Sequence, residues 1–101
     1  MSVLNITKDN FENEVLNSEK PVLIDFYADW CGPCQMVGPI VHEIAEELAD
    51  IKVGKINVDE QPELAAAFRV QSIPMLVVVK EGKIANQSVG LMPKEQILKL
   101  L

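Results

Sequence analysis

The chain has 101 residues, about half of them apolar, and a net charge of −6. That length supports one hydrophobic core, so residues 1–101 are expected to form a single domain. Lysine and arginine form no patch, so neither nucleic acid nor an anionic membrane is an expected partner, and the acidic balance reads as solubility.

Met1-Ser2-Val3-Leu4-Asn5 has neither a basic segment nor a long apolar one, and no signal peptide or membrane span is expected from it. Val3-Leu4-Asn5-Ile6 reads as a short first strand. Thr7 or Asp9 is expected to cap a helix with Phe11, Val15 and Leu16 on one side, ended by the breaker cluster Asn17-Ser18-Glu19-Lys20-Pro21. Val22-Leu23-Ile24-Asp25-Phe26-Tyr27 is a nearly continuous apolar run of strand length, which suits a central parallel strand covered on both faces. Asp25 is the anomaly in that run. A buried carboxylate without a cation favours its neutral form. It either hydrogen-bonds nearby backbone or serves as proton acceptor or donor for Cys34, the deeper of the two cysteines that follow.

Cys31-Gly32-Pro33-Cys34 follows, between that strand and a helical pattern, and holds the only two cysteines. Helix N-termini carry unpaired N–H groups and partial positive charge, which stabilise a thiolate, the nucleophile of thiol–disulfide exchange. Cys31 falls at the cap or first turn, where it is expected to reach solvent. Cys34 lies one turn on, within disulfide reach but more covered. Pro33 suits the first helical position, and Gly32 lets another backbone approach. A structural staple is a weak alternative, because closing so small a loop gains only about 2 kcal/mol. A zinc site needs four ligands, and the single histidine, His42, is roughly 12 Å further along the helix. Two inert buried thiols are the third alternative. The flanking strand and helix favour a redox pair. With no cysteine left for structural bridges, a reducing compartment is expected.

From Pro33 to Asp50 the apolar positions Met36, Val37, Ile40, Val41, Ile44, Ala45 and Leu48 form one helical stripe, with His42 off it as a surface residue. Pro39 removes one helical hydrogen bond and is expected to bend the axis. Ile51 to Val58 is the next strand and completes a βαβ unit. Lys55, mid-strand, either approaches Asp25 across the sheet or stays solvated. Asp59 to Arg69 holds a short helix with Leu64, Ala65, Ala67 and Phe68 on its apolar side. Leu76-Val77-Val78-Val79 is a strand, Glu81-Gly82 a two-residue turn, and Ile84 to Val89 an antiparallel edge strand. Gly90 ends it. Pro93 starts a last helix bearing Ile97, Leu98 and Leu101, too short to stand alone.

Taken together, Asp25-Phe26, Ala28, Trp30-Cys31-Gly32-Pro33-Cys34, Pro39, Lys55, Asp59, Ser72-Ile73-Pro74 and Val89-Gly90 resemble the thioredoxin family from end to end. The resemblance implies an α/β thioredoxin fold: a central five-stranded mixed sheet flanked by about four helices. It implies a protein disulfide reductase that maintains redox homeostasis. Cys31 attacks a substrate disulfide and Cys34 resolves the mixed disulfide. Asp25 serves as a buried acid/base tuned by Lys55. Pro74 is expected to be cis, turning the Ile73 backbone toward the cysteines so that it pairs with an extended substrate segment. Trp30, Gly32, Pro33, Met75 and Gly90 line the groove around it. No metal or bound cofactor is implied; the Cys31–Cys34 pair is the redox centre, and electrons come from NADPH through a thioredoxin reductase. The implied partners are that reductase and disulfide-containing substrate proteins, met by a cytoplasmic monomer, with an organelle after loss of a transit peptide left open. The sequence departs from the family at Tyr27, Gln35 and Met75, where tryptophan, a basic residue and threonine are common. Those departures bear on partner choice and redox poise. Two rival functions remain: a thiol oxidant or isomerase, and a binding or accessory subunit that uses the same surface without redox chemistry.

Overall fold

The structure, a computed structural model, describes residues 2–101. In chain order it contains β1 (Leu4–Asn5), a π-helical segment (Glu12–Leu16), β2 (Val22–Tyr27), α1 (Gly32–Glu47), β3 (Lys52–Asn57), α2 (Pro62–Ala67), β4 (Met75–Lys80), β5 (Lys83–Val89) and α3 (Lys94–Leu98). The strands form one sheet in the order β1-β3-β2-β4-β5. β3 runs parallel to β1 and β2, while β4 runs antiparallel to β2 and β5. This is the expected five-stranded mixed sheet, with four helical segments around it. Among the described residues, no helix is long and apolar enough to cross a membrane.

The pleat of β2 divides the core. Val22, Ile24 and Phe26 face one side and pack with Val15 of the π-helical segment, Leu64 of α2, Ile56, Val77 and Val79. The rings of Phe11 and Phe26 both pack on Phe68. Leu23 faces the other side, with Leu76 and Val78, under Val37, Val41, Ile44 and Ala45 of α1 and Ile97 of α3. Successive strand side chains alternate between faces, so Asp25 shares the α1 side with Leu23. The continuous apolar run is therefore needed on both faces, and the one carboxylate in it is aimed at the helix that carries the cysteines.

β3 contains Gly54, paired with both Leu4 and Ile24. A Cβ there would clash with the side chain of Ile6, coming within 2.8 Å of Cγ1. Glycine lets the first strand lie close on β3. Glu81 and Gly82 both have positive φ (52° and 76°), the signature of the tight turn expected between β4 and β5. A bulge leaves Ala85 out of the β5 ladder, which blunts an otherwise open edge. α3 docks through Ile97, which is fully buried. Lys94 also bridges Glu43 and Glu47 of α1 at 2.6 and 2.7 Å; exposed pairs of this kind contribute little beside the apolar contact.

Several sequence expectations need correction. Neither Thr7 nor Asp9 caps the first helical segment. Asn10 instead accepts the Thr7 N–H at 2.8 Å, and the chain then enters a π-helical turn without a side-chain cap. Leu16 and Met36 are 43% and 60% exposed, so neither belongs to the core. Ala67 and Leu98 are also exposed. α1 ends at Glu47 and runs unbroken through Pro39. His42 is on the surface, as expected.

Candidate functional site

α1 begins at the redox pair. Cys31 is its N-cap residue, with extended backbone (φ −87°, ψ 112°), and its Sγ accepts the Cys34 N–H at 3.2 Å. A side-chain acceptor at the N-cap satisfies one of the orphan N–H groups of the first turn. Here that acceptor is sulfur, which suits a thiolate better than a thiol because the thiolate brings negative charge to the positive end of the helix. Pro33 lies in the first turn, where it sacrifices no helical bond. Cys31 and Cys34 are joined as a disulfide, their Cα atoms 5.3 Å apart.

The expected difference in exposure between the two sulfurs is absent. Cys31 is 5% exposed and Cys34 6%. Both pack against Ala28, with Tyr27, Val58 and Ile73 around them. The two cysteines share one apolar nest. What differs is the setting of each sulfur. Cys31 Sγ lies 3.8 Å from the Ile73 carbonyl oxygen, beside exposed Trp30, Gly32 and Pro33. Cys34 instead lines a partly open cavity of about 120 Å³ together with Asp25, Tyr27, Gly38, His42 and Lys55, with Val3 and Val41 as its apolar wall.

The Ile73–Pro74 peptide bond is cis. Pro74 is buried and Ile73 half-buried. The Gly90 N–H donates to the Pro74 carbonyl at 2.8 Å, tying the end of β5 to this loop, and Gly90 has φ +98°, a conformation that favours glycine. Neither Gly32 nor Gly90 has a neighbour that a Cβ would meet, so the surface over both is open. Met75 leaves the groove: it is 4% exposed and packs in the core with Phe26 and Val77. Residues alternate along β4, and Met75 opens the strand on the side of α2.

Two residues that sequence reasoning did not assign hold the groove's largest side chain. Trp30 is 72% exposed, yet its indole N–H donates to Asp59 Oδ2 at 2.8 Å. Asp59 is placed by buried Asn57, whose Oδ1 accepts the N–H groups of Asp59 and Glu60 at 2.9 and 3.2 Å. An asparagine two residues before an aspartate at a strand's end is an Asx-turn signal, and it was available in Asn57-Val58-Asp59.

Asp25 is 4% exposed, and its Oδ1 is buried without a hydrogen-bond partner. The backbone-bonded alternative for that oxygen is therefore not what the fold provides. Burial pushes the carboxyl up to about 7, and the charge of Lys55 pulls it partly back. Asp25 and Lys55 are register partners across β2 and β3. The Lys55 ammonium sits 5.6 Å from the Tyr27 ring centroid, a cation–π distance. Burial likewise raises the Tyr27 phenol above its ordinary value. Gln35, at a position where family members commonly carry a basic residue, donates to the Asp29 carbonyl at 3.0 Å. Among the described residues, no group of three or more His, Cys, Asp or Glu side chains is placed to hold a metal.

The site thus brings Cys31, Cys34, Trp30, Ile73 and Gly90 to one surface, and Asp25, Lys55 and Cys34 to one cavity beneath it. Comparison with known proteins gives the same direction. The thioredoxin family model matches residues 2–101. The chain is 47% identical to a thioredoxin of Pyropia yezoensis, covering 100% of this chain and 95% of that one. It is 45% identical to a thioredoxin of Acidithiobacillus ferridurans, over 99% and 94% of the two chains, and 44% identical to one of Rickettsia prowazekii, over 95% and 92%. With a Cys-x-x-Cys disulfide at a helix N-terminus, a five-stranded mixed sheet and a match across nearly every residue, the chain belongs to the thioredoxin family of protein-disulfide oxidoreductases, whose chemistry is dithiol–disulfide exchange with no bound cofactor.

Proposed function

We propose that this chain is a disulfide reductase in which Cys31 attacks and Cys34 resolves. The observation that carries the assignment is the hydrogen bond from the Cys34 N–H to Cys31 Sγ, which places one sulfur, and not the other, as the acceptor at the helix N-terminus. In the reduced protein the Cys31 thiolate attacks one sulfur of a substrate disulfide, and the second substrate sulfur leaves with the electron pair and takes a proton. Cys34 then loses its proton and bonds to Cys31 Sγ. The bond between Cys31 and the substrate breaks, and the substrate's remaining sulfur departs as a thiolate. The substrate gains two electrons and the cysteine pair becomes the disulfide.

Cys34 must lose its proton while a substrate covers the groove. Asp25 is the acceptor: it shares the cavity with Cys34, has an unpartnered oxygen, and is held near 7, where it exchanges protons at neutral pH. Lys55 tunes it from the neighbouring strand. An extended substrate segment pairs with the Ile73 backbone beside Pro74, flanked by Trp30, Gly32, Pro33 and Gly90. Thiol–disulfide substrates and a reductase are the partners the family implies; the finer assignment is NADPH-driven thioredoxin reductase and a monomer working in the reducing cytoplasm. A purely structural accessory role is not favoured, because it leaves the capped sulfur and the raised carboxyl without a task.

The test is a Cys34→Ser variant. Mixed with disulfide-containing proteins, it is expected to accumulate a covalent adduct through Cys31, detected as a band that reductant dissolves. A variant whose Cys31 alkylates readily but which traps nothing overturns the resolving role.

A further inference from the structure

A proton taken from Cys34 by Asp25 has to leave again, and the fold restricts how. Asp25 is mid-strand in β2, between Ile24 and Phe26 and opposite Leu76, none of which carries protons. The open side of its carboxyl is the cavity. Five titratable or charged groups face that space: Asp25 and Tyr27 from β2, Lys55 from β3, Cys34 and His42 from α1. Tyr27 holds its proton at neutral pH, since burial raises a phenol that is already weakly acidic. Lys55 presents its ammonium to the Tyr27 ring. Cys34 is the proton's origin.

His42 remains, and it alone among these is exposed. It lines the cavity and also a wider open cleft of about 330 Å³ formed with Tyr27, Cys34, Asp29, Gln35 and Pro39. The two spaces share Tyr27 of β2 and Cys34, Gly38 and His42, which lie at four-residue intervals on one face of α1. Gly38 keeps that face clear: a Cβ there would meet no atom within 4 Å. The cavity has room for several water molecules, and Asp25, Lys55 and His42 give them polar partners in a lining that Val3 and Val41 otherwise make apolar. Imidazole is the side chain suited to passing protons between pH 5 and 8.

We infer that His42 is a proton-relay residue that passes protons between Asp25 and bulk solvent along the cavity past Gly38. The inference rests on the reading of Asp25 as the base for Cys34. The relay moves no electrons and leaves His42 unchanged: a proton reaches the imidazole from the Asp25 side and leaves it to the solvent. Its position suits a protein that works under a bound partner. His42 is two helical turns beyond Cys34, roughly 12 Å along the axis, so a substrate seated at Trp30 and Ile73 leaves this mouth open.

The test follows release of reduced substrate after rapid mixing of the reduced protein with excess disulfide protein in dilute buffer. At pH 6.5 most molecules carry a protonated Asp25 and must lose that proton before Cys34 is resolved. His42→Gln is expected to slow release about tenfold there, short of the roughly 100-fold of a base in direct contact. Added free imidazole restores the rate in proportion to its concentration, and at pH 8.5, where Asp25 is already ionised, the variant matches the unmodified protein. Gly38→Val, which narrows the path and removes no titratable group, is expected to be slow at pH 6.5 and deaf to imidazole. Full-rate release by His42→Gln at pH 6.5, a loss that imidazole leaves untouched, or a loss that persists at pH 8.5 each overturns the relay. Asp25→Asn separates the two ideas: slow release by it at pH 8.5 keeps Asp25 as the base whatever His42 does, whereas full-rate release there removes Asp25 from the reaction.

Discussion

β2 and β4 are neighbours in register, from Val22 opposite Val79 to Phe26 opposite Met75. Both are buried along nearly their whole length. At the centre of the pair Asp25 of β2 faces Leu76 of β4. Burying Leu76 stabilises the fold, whereas burying Asp25 without a hydrogen-bond partner for Oδ1 opposes it. Their ends differ as well. β4 runs into a two-residue turn, Glu81-Gly82, that reverses the chain. β2 runs through Ala28 and Trp30 to the capped sulfur of Cys31. Of two strands at the same depth, one is apolar throughout its buried length and the other gives up stability at a single position, where it sets a carboxyl in the cavity that Cys34 lines.

Replacing the carboxylate is the strongest way to break that contrast. Burial holds the folded Asp25 carboxyl at about 7, against 3.8 for a free aspartate side chain, a difference equivalent to about 4 kcal/mol. Between those values the folded state binds the proton and the unfolded state has released it. The unfolded chain therefore binds fewer protons there, and stability falls as pH rises from about 4 to about 7, then levels off. Asp25→Asn removes the penalty. Denaturant unfolding of both proteins is expected to coincide near pH 4 and to diverge in favour of the variant, by a few kcal/mol, at pH 8. A stability gap that stays constant with pH would mean that Asp25 is not held neutral by burial.

The same contrast explains what could be read in advance. β2 was legible to the residue because a strand covered on both faces needs an unbroken apolar run, and Asp25 stood out because it interrupted one. The β4–β5 turn was legible because Glu81-Gly82 sits between two such patterns. What stayed hidden depends on contacts distant in sequence. Met36 has helical-stripe spacing, but only the packed sheet decides which edge of the stripe is buried. Met75 sits next to the groove's proline, and strand alternation sends its side chain into the core. The near-equal burial of Cys31 and Cys34 comes from Ile73, Tyr27 and Val58 closing over both. Asp59 reaches Trp30 across a separation of 29 residues, which no local pattern encodes. His42, set aside as a surface residue, is on the surface and also at the cavity mouth.

The complementary change is made on β4. Leu76 is fully buried among Leu23, Val37 and Ile97. Leu76→Ala is expected to destabilise by about 3 kcal/mol, within the range of buried leucine truncations, while Cys31 alkylation keeps its pH midpoint. The effect should be nearly independent of pH, because no titrating group is lost. A Leu76→Ala protein whose stability loss grows from pH 4 to pH 8 in step with Asp25 ionisation would show that the two strands are coupled and the division of labour is not real.

The smallest effect sharpens the contrast at the strand's end. Glu81 has φ 52°, a left-handed conformation that an ordinary L residue adopts at a penalty of roughly 1–2 kcal/mol. Asparagine adopts it more readily, and Asn-Gly is the preferred pair for this turn. Glu81→Asn is therefore expected to raise stability by about 0.5–1 kcal/mol, a part of that penalty, with disulfide reduction unchanged. The turn lies at the end of the sheet away from the cysteines, since Met75 begins β4 beside Pro74 and Lys80 ends it. A stabilised hairpin with a slower reductase would mean that the turn's strain reaches the groove through β5 and the Gly90–Pro74 hydrogen bond, and then β4 would not be the purely structural strand of the pair.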